Sequence, residues 1–247
     1  MTKEQYISAI SKQRLIQSVL NNIYIWSRLA VLSLGEIEKH RDFLEKISSF
    51  SVPSKSPHKV VNRSTDNIIE TLKKARTTEF YKAMVVYVVS IVEPVLLEIV
   101  RLTMQYDKRR IKTKPKGCDG KLEYDTIIDC DDYDDIMQVI IAKQIDVLSY
   151  SKPNDQLEYI EKLLSIEIDD VLWGKWIEIK ASRDLIVHNK SIINKVYLDK
   201  VGKFARGTQG KEITVDEDYY KSLIVISKSL IGKIVSQITK KVKTDGN

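Results

Sequence analysis

The residues best suited to chemistry lie in one short run, Arg183-Asp184-Leu185-Ile186-Val187-His188-Asn189. An arginine offers phosphate oxygens a permanently charged, planar fork. A histidine titrates near neutrality and carries protons in either direction. Together they suit proton transfer beside a phosphate whose developing charge the arginine stabilises. The chain has only three histidines. His40 lies in the charged stretch EIEKHR and His58 in a loop rich in Ser, Pro and Lys, so His188 is the proton carrier to expect. The sequence holds no G-x-x-x-x-G-K-[ST] or G-x-G-x-x-G phosphate loop, no H-E-x-x-H and no Cys–His zinc spacing. Its Asp-rich run 129–135 lacks the glycine and the spacing of a calcium loop. No metal and no cofactor are expected.

A helix must position this run. Over 169–189 apolar residues recur at helical spacing, with Asp169 or Asp170 as the N-cap. At about 100° per residue, Leu172, Trp176, Ile179, Arg183 and Val187 share one stripe, flanked by Trp173 and Ile186. Arg183 is thus predicted on a buried face, where an unpaired guanidinium is strongly unfavourable. A second anomaly sits in the apolar helix predicted over 79–106. There Glu93 has Val86, Val89, Leu96, Leu97 and Val100 as wheel neighbours. The economical expectation is that Glu93 pairs with Arg183 and fixes it. His188, five residues on, is turned by roughly 140° from the arginine. One ideal helix cannot aim both side chains at one phosphate. Either the helix bends or ends between them, or a second copy completes the site.

The Arg-Asp pair, followed by three residues and His-Asn, resembles the R-x4-6-H signature of HEPN (higher eukaryotes and prokaryotes nucleotide-binding) domains. The resemblance continues through SIINKVYLDKVG, a Gly-bearing loop and KEITVDEDYY before a long apolar helix, and includes the apolar helix around 80–104 with its internal Glu. It spans about 80–240. It implies an all-α, up-and-down helical bundle, with extra N-terminal helices and a long 107–133 connection as this chain's additions. It also implies a metal-independent endoribonuclease that leaves 2′,3′-cyclic phosphate and 5′-hydroxyl ends, its two protomers packed as a homodimer around a shared cleft. On the matching positions Arg183 stabilises the phosphate and His188 handles protons. Asp184 orients the arginine or the RNA, and Asn189 steadies the loop or a phosphate; Glu93 supports the arginine on the charge argument above. Position 184 is Asp where many members carry Asn. The family's usual setting is a toxin–antitoxin or antiviral-defence module, with a nucleotidyltransferase antitoxin or an ATPase as partner. Lys180, Lys190 and Lys195 join the site as substrate contacts, from charge and proximity alone. The alternative is a non-catalytic HEPN-like module that dimerises or binds a partner protein. A third reading is a nucleic-acid or nucleotide sensor that does not cut.

Composition frames these readings. The 247 residues carry a net charge of +6, which suits a polyanion such as RNA, while 34 acidic residues exclude a basic tail or coat protein. Nine Gly and five Pro among abundant Ile, Leu, Val, Lys and Glu favour an α-rich protein. Cys118 and Cys130 flank a polar stretch without histidine and read as free thiols in a reducing cytoplasm. The start, MTKEQYISAISKQR, has no apolar signal core. The longest apolar run, Ala83 to Val100, is broken by Glu93, Pro94 and Glu98 and reads as a core helix, not a membrane span. A cytoplasmic protein without a membrane partner is expected.

One helical domain over 1–247 follows, with 1–63 as an N-terminal helical extension and loop and 64–247 as the HEPN-like core. Helices are predicted within 3–49 with a break at Gly35, then a loop over 51–63 and a helix over 65–75. Thr77 or Thr78 should cap the helix over 79–106, which Pro94 should kink. The 107–133 connection has one short strand near Ile127 and a basic stretch, KRRIKTKPK, for phosphates or solvent. Helices at 134–150 and 155–165 precede the motif helix. A short helix near 194–202, a loop or small hairpin over 203–215 and a final helix capped by Asp216 follow it.

Overall fold

Helical periodicity, punctuated by capping side chains, sets the element order. The structure, a computed structural model, describes residues 1–55 and 59–244; His58 lies outside the described residues. Among these the chain runs α1 (Lys3–Lys12), α2 (Leu15–Ile37), α3 (Arg41–Lys46), β1 (Ser49–Val52), β2 (Lys59–Asn62), α4 (Thr65–Lys74) and α5 (Phe80–Tyr106). It continues as α6 (Tyr124–Ile128), α7 (Tyr133–Ser149), α8 (Pro153–Leu164), α9 (Asp170–His188), α10 (Lys195–Val201) and α11 (Glu217–Thr244). The architecture is all-α apart from the antiparallel hairpin β1–β2. Caps start the helices where orphaned N–H groups need acceptors. Thr2 and Gln5 form a reciprocal capping box on α1. Asp169 Oδ1 accepts from Leu172 N on α9 at 2.7 Å, and Asp216 Oδ1 accepts from Tyr219 N on α11 at 2.8 Å.

Four expectations need correction. Residues 51–63 are not all loop: Ser51 and Val52 and residues 59–62 belong to two antiparallel strands, with Ser49 opposite Asn62 and Val52 opposite Lys59. Helix α2 runs through Gly35 to Ile37 without a break. Neither Thr77 nor Thr78 caps a new helix, because a π turn over Ala75–Glu79 joins α4 to α5 as one 42-residue rod, Thr65–Tyr106. The Thr77 hydroxyl donates instead to the Lys73 carbonyl at 2.8 Å, a bond back into the preceding turn rather than a cap. Near Ile127 the chain forms the helical turn α6, not a strand; a short apolar run alone does not separate the two. Pro94 lies on the exposed side of α5, and the helix continues past it.

The core is built on α5, α9 and α11. Val85, Val88, Val92, Trp176, Ile179, Leu223 and Leu230 are fully buried among them. The N-terminal extension shares this core. Tyr6, Ile10 and Leu20 are buried with it, Tyr6 stacks on Tyr106 with ring centroids 4.2 Å apart, and its hydroxyl meets Thr103 Oγ1 at 2.8 Å. Two stretches, Thr65–Tyr106 and Glu217–Thr244, are long and apolar enough to cross a membrane. In this fold many of their apolar residues belong to the same core.

One close approach fixes how the region after α10 meets α9. At Gly174 an added Cβ would strike the ring of Phe204, so a side chain there drives the ring off the helix. Gly174→Ala should destabilise the fold by about 1–3 kcal/mol in urea unfolding, although alanine is the better helix former.

Candidate functional site

Helix α9 is enclosed along most of its length, including at three polar positions, Glu178, Lys180 and Ser182. Each is answered by a partner. The Glu178 carboxylate is 4% exposed as a residue and receives four hydrogen bonds. Its Oε1 accepts from Ser182 Oγ at 2.6 Å, Arg206 Nε at 2.8 Å and Tyr197 OH at 2.9 Å, and its Oε2 from Tyr219 OH at 2.9 Å. Arg206 also stacks over the Tyr219 ring at 3.5 Å and donates to the Thr214 carbonyl at 2.7 Å. Burial, then the Glu178 charge, pushes the Tyr197 phenol up to about 12 and the Tyr219 phenol well above its usual range. This knot ties α9 to α10, to the 203–215 loop and to α11.

Further along α9 lies a second chain of charges. Lys180 Nζ meets Glu93 Oε1 at 2.5 Å, and Arg183 Nη2 meets Glu93 Oε2 at 3.4 Å. Arg183 Nη1 is 3.4 Å from Asp184 Oδ1, and Asp184 Oδ2 accepts from Lys200 Nζ at 3.0 Å. The expected Glu93–Arg183 pair is therefore present, and Asp184 braces the arginine from its other side. Two sequence readings are corrected here. The Arg183 and Glu93 side chains are 29% and 22% exposed, so the pair sits at the edge of the core rather than within it. Val187, on the same stripe, is 50% exposed: the apolar face of α9 runs out into a groove between α5 and α7. Lys180 is buried against Glu93 instead of standing free for substrate. The buried Arg183 Nε has no acceptor among the described residues.

His188 ends α9, is exposed, and forms no hydrogen bond or ion pair among the described residues. Beyond it the Asn189 side chain donates to the Ile192 carbonyl at 2.6 Å, so Asn189 steadies the loop. Lys190 and Ser191 follow in left-handed conformation, with φ of 51° and 64°. Neither is glycine, and two such residues in succession store strain directly after the motif, as functional segments often do. Lys190 and Lys195 are exposed.

Arg183 and His188 open on different clefts. Arg183 lines the groove of about 780 Å³ with Glu93, Pro94, Arg101, Tyr150 and Val187. His188 lines a smaller one of about 220 Å³ with Asp184, Asn189, Asn194, Tyr197 and Lys200. The 100° step of the helix separates them, as the wheel predicts, and α9 does not end between them. Asp184 is the link, touching Arg183 on one side and lining the His188 cleft on the other. Lys200, Arg206 and Glu178 escaped sequence reading. A glutamate inside an apolar helix was the one available signal for the last.

These contacts separate stability from site chemistry. Arg206→Ala leaves Glu178 without its cation and should cost about 3–5 kcal/mol. Arg183→Ala, at a half-exposed position where Glu93 keeps Lys180, should cost about 1 kcal/mol or less. Urea midpoints of the two variants check this. The raised Tyr197 pKa means that the folded protein retains a proton the unfolded chain loses near pH 10. Stability should therefore fall as pH rises from about 10 to 12, and Tyr197→Phe should flatten that fall in alkaline unfolding curves.

No protein-family model, no curated protein and no solved structure matches this chain.

Proposed function

We propose that the chain is a metal-independent endoribonuclease of HEPN type, acting as a homodimer whose composite site takes Arg183 and His188 from both copies. One observation carries the reading: at the end of α9 an arginine is braced by Glu93 and Asp184, while an unencumbered histidine five residues on faces another cleft. A two-fold axis is the simplest way for one phosphate to meet both residue types. His188 of one copy takes the 2′-hydroxyl proton, and the 2′-oxygen attacks the phosphorus. The arginines stabilise the charged phosphorane. The second His188 protonates the departing 5′-oxygen, leaving 2′,3′-cyclic phosphate and 5′-hydroxyl ends. Lys190 and Lys195, exposed in the segment that follows the histidine, offer contacts to flanking phosphates. The net charge of +6 favours an RNA partner. The HEPN-like topology, the toxin–antitoxin or antiviral-defence setting, and a nucleotidyltransferase antitoxin or ATPase partner rest on the resemblance of the motif and its flanks.

A second reading, a non-catalytic dimerisation or partner-binding module, is favoured by the outer face of α2. Leu15, Val19, Ile25, Trp26, Leu29 and Leu32 are 42–66% exposed there. Arg28, the one charged residue of α2 before Glu36, turns inward to Glu217 at 2.6 Å. A helix apolar on both sides is built to be covered on both.

Purified chain incubated with RNA in EDTA separates the two. Wild type should cleave to cyclic phosphate ends, and His188→Ala should lose about 10²–10⁴ in rate with an unchanged melting temperature. Cleavage by both proteins, or by neither at high dose, would discard the nuclease reading.

A further inference from the structure

The basic stretch after α5 does not join the clefts of α9. From Lys108 to Leu122 the chain folds back over α7 and walls a half-enclosed cavity of about 310 Å³. Polar ties hold this wall in place. Gln144 Nε2, buried, donates to the Ile111 carbonyl at 2.7 Å, and Lys143 Nζ reaches the Lys121 carbonyl at 2.6 Å and Asp119 Oδ1 at 2.9 Å. Lys108 Nζ pairs with Asp134 at 2.5 Å.

The interior is aliphatic, formed by Ile111, Leu122, Met137 and Ile140. Its rim carries five lysines, 108, 112, 114, 121 and 143, and no carboxylate lines it. Lys108 and Lys143 are paired, whereas Lys112, Lys114 and Lys121 form no ion pair among the described residues. The end of the Lys114 side chain, its ammonium included, lies across Gly120, in the space a Cβ would occupy, and Gly120 has a φ of +69°. Both features favour glycine there. Uncompensated cations around one apolar cavity repel one another, and an anion placed among them removes that repulsion.

We propose that this cavity binds a soluble aliphatic anion, a chain of roughly ten carbons ending in a carboxylate or phosphate. The volume lies at the small end of ligand pockets. No aromatic side chain lines it, so a nucleobase finds no stacking partner. A hydrocarbon tail matches the Ile, Leu and Met walls, and the lysines match its anionic head. The site stands apart from the residues assigned to RNA cleavage, and either proposal survives the failure of the other.

Calorimetric titration of the full chain with hexanoate, octanoate and decanoate, each below its micelle concentration, tests this. Affinity should rise about three- to fourfold per methylene. Decanol should bind at least tenfold more weakly than decanoate, and Lys114→Glu/Lys121→Glu should weaken decanoate at least tenfold with unchanged circular dichroism. Cys118 lines the same cavity, so bound decanoate should slow its alkylation in the unaltered protein, a readout independent of the variants. Absent saturable binding, equal binding of decanol, or saturation by inorganic phosphate at the same concentration would overturn the proposal. So would protection of Cys118 by a mononucleotide and not by decanoate, or binding only to anionic phospholipid vesicles.

Discussion

One buried carboxylate holds the architecture of the motif helix together. Glu178 is almost fully buried, and its carboxyl is tolerable there because four donors converge on it from α9, α10, the 203–215 loop and α11. Arg206 supplies the compensating charge from outside the helices, in the segment between α10 and α11. The loop is therefore ordered by the same contact that makes the helix stable. With α9 pinned on that side, its other side is free to carry a second set of charges at the margin of the core.

That second set is graded by exposure. Lys180 is nearly covered, Glu93, Lys200 and Arg183 are partly exposed to similar extents, Asp184 is more open, and His188 is exposed with no polar partner among the described residues. Such a gradient positions a guanidinium firmly while leaving the imidazole accessible, a combination suited to binding and proton transfer at a charged substrate. The strained turn at Lys190 and Ser191 reverses the chain immediately afterwards and ties it back through backbone bonds between Ile193 and Lys211 and between Ile213 and Ser191. The histidine stands where the helix gives way to this reversal.

Much of this was legible in the sequence, for reasons that differ residue by residue. Glu93 and Arg183 stood out because each interrupts an apolar stripe, and two misplaced charges of opposite sign are most simply explained by each other. The divergence of Arg183 and His188 follows from helical pitch alone. Their degree of burial did not follow, since a wheel gives the direction of a side chain and not the point at which its helix leaves the core. Lys180 was misread because a long aliphatic stem lets a lysine lie along apolar surface toward a partner on another helix. The Glu178–Arg206 contact spans 28 residues and ends in a loop, so no periodicity announces it. The hairpin was hidden by a composition typical of turns, and the junction of α4 with α5 by threonines that form local bonds instead of capping.

That junction has a mechanical meaning. A π turn carries one residue more than the α-helical turn it replaces, so it sets the rotational phase between the two halves of the Thr65–Tyr106 rod. Ile68, buried on α4, and Val85 and Val88, buried on α5, each face their own neighbours because of this single extra residue. Removing it would spin one half against the other by about 100°. Either Ile68 would be dialled out of its contacts or the whole valine face would be turned from the interior, so the odd residue works as the keyway that lets one shaft serve two differently oriented fittings.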